Sequence, residues 1–130
     1  MEPQAIKDWA TAYIAFQQDS DKNLDHPLYL DHPLFWAAER FMIPEDPDIA
    51  EDCWAAILEI LSRNPPESVI GILAAGPLED LIDCAGPQFI DRIELQARRD
   101  PAFQHLLGGV WESSTPEIWA RIEAVRGDAW

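Results

Sequence analysis

An all-α fold is predicted by three features of this sequence. Apolar residues recur at spacings of three and four, prolines stand where helices would begin, and no stretch alternates in the manner of a half-buried strand. The helix-opening prolines are Pro33, Pro47, Pro77, Pro87, Pro101 and Pro116, several of them followed one helix later by glycine. Short helices with tight corners predict an irregular stack of helical hairpins, α-solenoid-like, in a single domain over residues 1–130. A chain of 130 residues should bury roughly two thirds of its unfolded surface, so no disulfide or metal staple is needed.

The first helix is predicted from Pro3 to about Gln18, because Ile6, Trp9, Tyr13 and Phe16 share one face. Two copies of DHPL follow, at Asp25–Leu28 and Asp31–Leu34. The first reads as an extended connection. The second reads as a helix start, capped by Asp31 or His32, that turns Leu34, Phe35, Ala38, Phe41 and Met42 inward. Asp46-Pro47 opens the next helix, with Ile49, Cys53, Ile57, Ile60 and Leu61 as its apolar stripe and an end near Asn64, before Pro65-Pro66.

The stretch from Val69 to Ala97 reads as three short helices joined at Gly76-Pro77 and Gly86-Pro87. Each glycine would close a helix in the left-handed conformation and each proline would open the next, both corners bringing neighbouring helices close. Leu78, Leu81, Ile82, Phe89, Ile90, Ile93 and Ala97 carry the apolar face. Asp100-Pro101 then opens a helix bearing Phe103, Leu106 and Leu107, stopped by Gly108-Gly109, and Thr115-Pro116 opens the last one, with Ile118, Trp119, Ile122 and Val125 inward. Trp9, Trp54, Trp111 and Trp119 lie in or beside apolar stripes and read as core or inter-helix packing, with an exposed tryptophan anchoring a protein interface as the sharper alternative, whereas Trp36 is ambiguous and Trp130 ends an unassigned tail.

The run GPLEDLIDCAGPQFIDRIE, followed by DPAFQHLLGGVW, resembles a family of small, uncharacterised bacterial helical domains across residues 50–125 or so. The resemblance implies a bacterial, cytoplasmic protein and carries over no catalytic residue. It leaves an acidic helical N-terminal part, residues 1–45, outside a helical core over 46–125.

Charge bounds the function. Nine Lys plus Arg against 24 Asp plus Glu give a formal net charge of −15, which excludes nucleic-acid binding through phosphates and disfavours an anionic membrane. The N-terminus lacks the cations and apolar run of a secretion signal, and no stretch has the length of a membrane span. Cys53 and Cys84, without metal-ligand spacing, read as reduced core thiols.

From Asp19 to Asp52 there are ten acids and two bases, so more than half the net charge lies in about a quarter of the chain. Asp19, Asp21, Asp25, Asp31, Glu45, Asp46, Asp48, Glu51 and Asp52 are the candidate partner-binding residues. A solubilising face is the plain interpretation, and attraction of a basic protein the sharper one. The function expected is therefore a non-enzymatic, acidic protein-binding module, of the immunity type that neutralises a basic toxin, without a cofactor. The alternative is a divalent-metal-dependent enzyme using Glu79, Asp83, Asp91 and Glu94, with Asp80 beside them. Against it stands a helix-dipole role for Glu79 and Asp80 in the first turn after Pro77. Arg40, Arg63, Arg98, Arg99 and Arg126 fall near predicted helix C-termini, and Glu94 with Arg98 and Glu117 with Arg121 have the spacing of stabilising pairs. No nucleophile elbow or phosphate loop occurs, and a Cys84–His105 pair reads as inert.

Overall fold

Helix α1 (Pro3–Lys22) buries the aromatic face expected of it, with Trp9 and Tyr13 1% exposed and Phe16 4%. The ring of Phe41 lies against Trp9, 4.5 Å between centroids, and takes Tyr13 edge-on at 5.2 Å. Phe41 follows α2 (Phe35–Glu39), and the Trp9 indole N–H closes this corner by donating to the Ala37 carbonyl at 2.7 Å. The computed structural model describes the backbone of residues 1–22, 32–42 and 44–130, and the side chains of 1–19, 32–42 and 44–130. The first DHPL copy and Asp31 lie outside them. His32 does serve at the second copy, its Nδ1 accepting the Leu34 N–H at 3.0 Å. Met42 points outward, 52% exposed, contrary to expectation, because α2 stops at Glu39 before a second turn can bring it back to the core.

The remaining helices are α3 (Pro47–Ser62), α4 (Glu67–Leu73), α5 (Glu79–Arg99), α6 (Pro101–Leu107) and α7 (Pro116–Val125). Helix α1 packs on α3, α3 on α5, and α5 on both α6 and α7, while α4 touches α1 and α6. The chain is all-α among the described residues, and its buried side chains form one cluster drawn from every helix. Side-chain caps mark three of the predicted starts: Asp46 on α3, Asp100 on α6 and Thr115 on α7. A cap is worth about 1 kcal/mol, whereas truncating a fully buried ring such as Phe103 to alanine costs about 3–5 kcal/mol. Packing therefore decides where helices lie, and caps decide where they start. Helix α3 stops where the prolines require, with Asn64 taking a left-handed φ of 51°. Its Ile49 is 50% exposed rather than inward, since the first turn of α3 extends past the core.

The two Gly-Pro corners differ from expectation. No glycine has a positive φ among the described residues, so neither Gly76 nor Gly86 closes a helix in the left-handed form. At the first corner the helix continues through a π-helical turn, Ala74–Leu78, which leads α4 into α5. The Glu79 N–H reaches back five residues to Ala74 O. The wide turn accommodates a proline that would cost about 3 kcal/mol or more inside a regular helix, where its ring meets the preceding turn. Because the hydrogen-bond ladder runs through, Glu79 and Asp80 do not stand at a free helix N-terminus, and the dipole role expected of them does not apply. At the second corner the chain kinks at Ala85, φ −139° and ψ 26°, and α5 then proceeds through Pro87. Close approach holds at Gly86 alone. A side chain there would stand 2.7 Å from Ser114 Oγ and 3.3 Å from Ile118, whereas one at Gly76 meets nothing within 4 Å.

Gly108 and Gly109 end α6 without left-handed geometry. Their N–H groups and that of Val110 tighten onto the carbonyls three residues back, at 3.0, 3.0 and 3.2 Å. Their lack of a side chain serves the tail instead. The Trp130 backbone N–H donates to Gly108 O at 3.0 Å, its indole N–H donates to His105 O at 2.7 Å, and its ring stacks on the His105 imidazole. A methyl on Gly109 would lie 2.5 Å from Trp130 Cζ2, and one on Gly108 would meet the Asp128 carbonyl.

These contacts separate the glycines in a urea melt. Gly109→Ala should lower stability by about 1–3 kcal/mol, the cost of overpacking, while Gly76→Ala should raise it by up to about 1 kcal/mol through helix propensity. Coincident midpoints for the two variants would refute the placement of Trp130.

Candidate interaction surface

Of the nine acidic residues singled out in the sequence, the six whose side chains are described separate into two groups. One group holds the fold. Asp46 accepts the N–H groups of Asp48 and Ile49 at 2.8 and 3.3 Å, Asp52 lies 3.1 Å from the Met1 amino group, and Asp19 lies 3.2 Å from His32 Nε2. Glu51 joins α3 to α5: Arg92 grips both carboxylate oxygens, and Gln88 donates to Glu51 Oε1 at 3.3 Å. The other group, Glu45 and Asp48, is exposed. The side chains of Asp21, Asp25 and Asp31 lie outside the described residues.

The carboxylates of α5 are also divided. Asp91 and Glu94 both receive Arg121 of α7, which crosses to them instead of pairing with Glu117 one turn away. Glu79 and Asp83 face the loop between α6 and α7, where Glu79 Oε1 accepts the Trp111 N–H at 3.2 Å and Asp83 Oδ1 accepts the Ser114 N–H at 3.3 Å. Ser114 has a left-handed φ of 64°, and Gly86 leaves room for its hydroxyl. Glu79, Asp83, Asp91 and Glu94 thus serve two separate structural contacts. Among the described residues no three His, Cys, Asp or Glu side chains gather as metal ligands. Asp80 sits between Glu79 and Asp83, its carboxyl raised above the ordinary range by partial burial first and by those two charges second.

The same loop corrects one reading of the sequence. Trp111 is 75% exposed, whereas Trp9, Trp54 and Trp119 are buried as expected. The signal was present in its surroundings, Gly108-Gly109 before it and Glu112-Ser113-Ser114 after it, which offer no apolar partner at helical spacing. Cys84 is exposed as well, on the outer side of the kink, and the charges of Asp83, Asp80 and Glu45 add to desolvation in raising its thiol pKa. Cys53 is buried as expected, its thiol pushed up to about 12 by burial and by Asp52, so neither cysteine is a ready thiolate. His105 faces Glu67 at 3.1 Å and Trp130, rather than Cys84.

The arginines are largely committed to the fold. Arg63 donates to Thr11 Oγ1 and Lys7 O at 2.6 and 3.0 Å, Arg40 lies 4.8 Å from the Trp36 ring centre and 5.9 Å from that of Trp9, and Arg126 lies 5.4 Å from that of Trp119. Arg40, Arg63 and Arg126 cap helix C-termini, and Arg98 with Arg99 occupies the last turn of α5, as their positions in the sequence imply.

A family model matches residues 25–130, from just beyond α1 through the end of α7 and the tail. The chain belongs to DUF6869, a family of unknown function. No curated protein and no solved structure matches it. The DUF6869 match is wider than the stretch of about residues 50–125 over which a family resemblance was expected. Most of the acidic segment, the carboxylates of α5 and the Trp111 loop therefore lie within the DUF6869 unit, and α1 lies ahead of it.

The Glu51–Arg92 pair carries a pH signature. The Arg92 guanidinium holds the Glu51 carboxyl below the usual glutamate range against a small opposing desolvation. A carboxyl lowered on folding contributes stability that is complete above its ordinary value of 4.5 and is lost as pH falls through the folded value. Side-chain exposure of 42% for Glu51 and 46% for Arg92 lets water and salt weaken the pair, which keeps its contribution below about 1 kcal/mol. Glu51→Gln should accordingly cost less than about 1 kcal/mol at neutral pH, with the gap from wild type closing as pH falls below 4.5. Urea melts across that range check it, and a gap that widened on acidification would contradict the pairing.

Proposed function

We propose that the protein is a non-enzymatic module that binds a basic protein through its acidic surface, as an immunity-type partner neutralises a cationic toxin, in a bacterial cytoplasm. One observation supports this reading above the others. Arg92, Arg121, Arg63 and Arg126 each pair with a carboxylate of the chain itself, and Arg40 lies over two of its rings, while Glu45, Asp48, Glu112 and Glu117 remain exposed against a net charge of −15. With most of the arginines engaged and acids in excess, long-range attraction favours a positively charged partner and repels anionic ones. No helix among the described residues is long and apolar enough to cross a membrane. The divalent-metal alternative gains no supporting observation, since its four carboxylates are engaged at two separate places.

Capture from native lysate at low salt should retain a cationic protein whose retention falls as salt rises. With that protein purified, Glu45→Gln together with Asp48→Asn should slow association by about two- to tenfold at low salt and leave dissociation nearly unchanged. A partner that binds equally well in 1 M salt, or the absence of any partner at every salt concentration, would overturn the reading.

A further inference from the structure

Trp111 is the most exposed large hydrophobic residue among those described, at 75%, yet the loop that carries it is held at both ends. Val110 before it is buried, and Thr115 after it caps α7 by accepting the Ile118 N–H at 3.3 Å. The backbone N–H of Trp111 itself is bonded to Glu79, and that of Ser114 to Asp83. An indole left in water on a fixed backbone forgoes burial, but it has little ordering to lose on binding, which is the character of an interface anchor. Carboxylates gather at this loop: Glu79 accepts its backbone N–H, Asp83 that of Ser114, Asp80 lies between them on the same helix, and exposed Glu112 is next in the chain.

We propose that Trp111 anchors a docking surface for a cationic segment of a protein partner, an arginine or lysine lying over the indole face while Glu79, Asp80, Asp83 and Glu112 oppose its charge, a reading that rests on the basic partner proposed above. An aromatic face attracts a cation through its quadrupole, and neighbouring carboxylates strengthen the attraction without competing for the ring. Charge also selects among occupants. A second copy of the chain would bring another −15 to the same place, and an anionic ligand would meet four carboxyl groups.

The test uses the full chain labelled with 15N and a synthetic pentapeptide, acetyl-Gly-Arg-Gly-Arg-Gly-amide, beside its citrulline counterpart, which keeps the shape and lacks the charge. The chain has six tryptophans, and Trp111→Phe assigns the indole N–H signal of Trp111. That signal should move most on adding the arginine peptide and stay in place with citrulline. Trp111→Ala, whose fold is verified by circular dichroism, should weaken the arginine peptide about three- to tenfold, whereas Glu39→Gln, which removes one charge from α2, should alter it less than about twofold. Unchanged affinity in Trp111→Ala overturns the anchor, as does movement of the Trp111 signal on simple dilution, which would make a second copy the occupant. If Trp111→Ala still binds the captured basic protein at full strength, the anchor fails and the basic-partner reading stands. If neither peptide nor basic protein binds at any salt, both fail.

Discussion

The absence of an N–H at Pro77 and at Pro87 is the constraint from which most of this architecture follows. Pro77 lies inside a helical run that continues past it, whereas Pro87 stands two residues after a kink at which one helix gives way to the next. The chain uses two different devices, a widened π turn at Ala74–Leu78 and a kink at Ala85. Leu78, Leu81 and Ile82, between the two, remain fully buried, so the distortions are absorbed by the backbone and not by the core. The kink also sets the position of the next part of the structure: Gly86 gives Ser114 its room, and Asp83, one turn earlier, holds the Ser114 N–H. The loop that displays Trp111 is thus placed by a proline more than twenty residues before it.

Legibility in the sequence followed the range of the interaction. Starts at Asp46-Pro47, Asp100-Pro101 and Thr115-Pro116 could be read because a cap and its N–H partner lie within four residues of each other. The aromatic face of α1 could be read because periodicity alone specifies it. The Gly-Pro corners mark where helical segments join, as the dipeptides predict, but without left-handed glycines, because the same dipeptide suits a helix end and a distorted helix interior and packing at long range chooses between them. Met42 and Ile49 carried the right spacing, but they lie where no neighbouring helix reaches, so periodicity could not reveal their exposure. The Glu51–Arg92 contact spans 41 residues and has no local signature at all.

A similar distinction applies to the acidic residues. Counted along the chain, Asp46, Asp48, Glu51 and Asp52 look like one patch, yet they serve as a cap, an exposed charge, an interhelical clamp and a partner of the amino terminus. Composition reports the sign of the surface correctly, because the cations engaged internally are few. It cannot report which carboxylates are available, since availability depends on where the arginines of other helices arrive. The candidate surface therefore shifts from a stretch of sequence toward a place where α3, the kink of α5 and the loop before α7 each contribute.

Trp130 and the glycines beneath it impose a different kind of consequence. The indole and a side chain at position 109 would claim the same volume, so one of them has to shift when both are present. A side chain at 109 would be tolerated at least cost once the ring is gone, and the ring at least cost while 109 is bare, so each position sets the cost of change at the other. Two positions more than twenty residues apart in the chain are thereby coupled through one small volume.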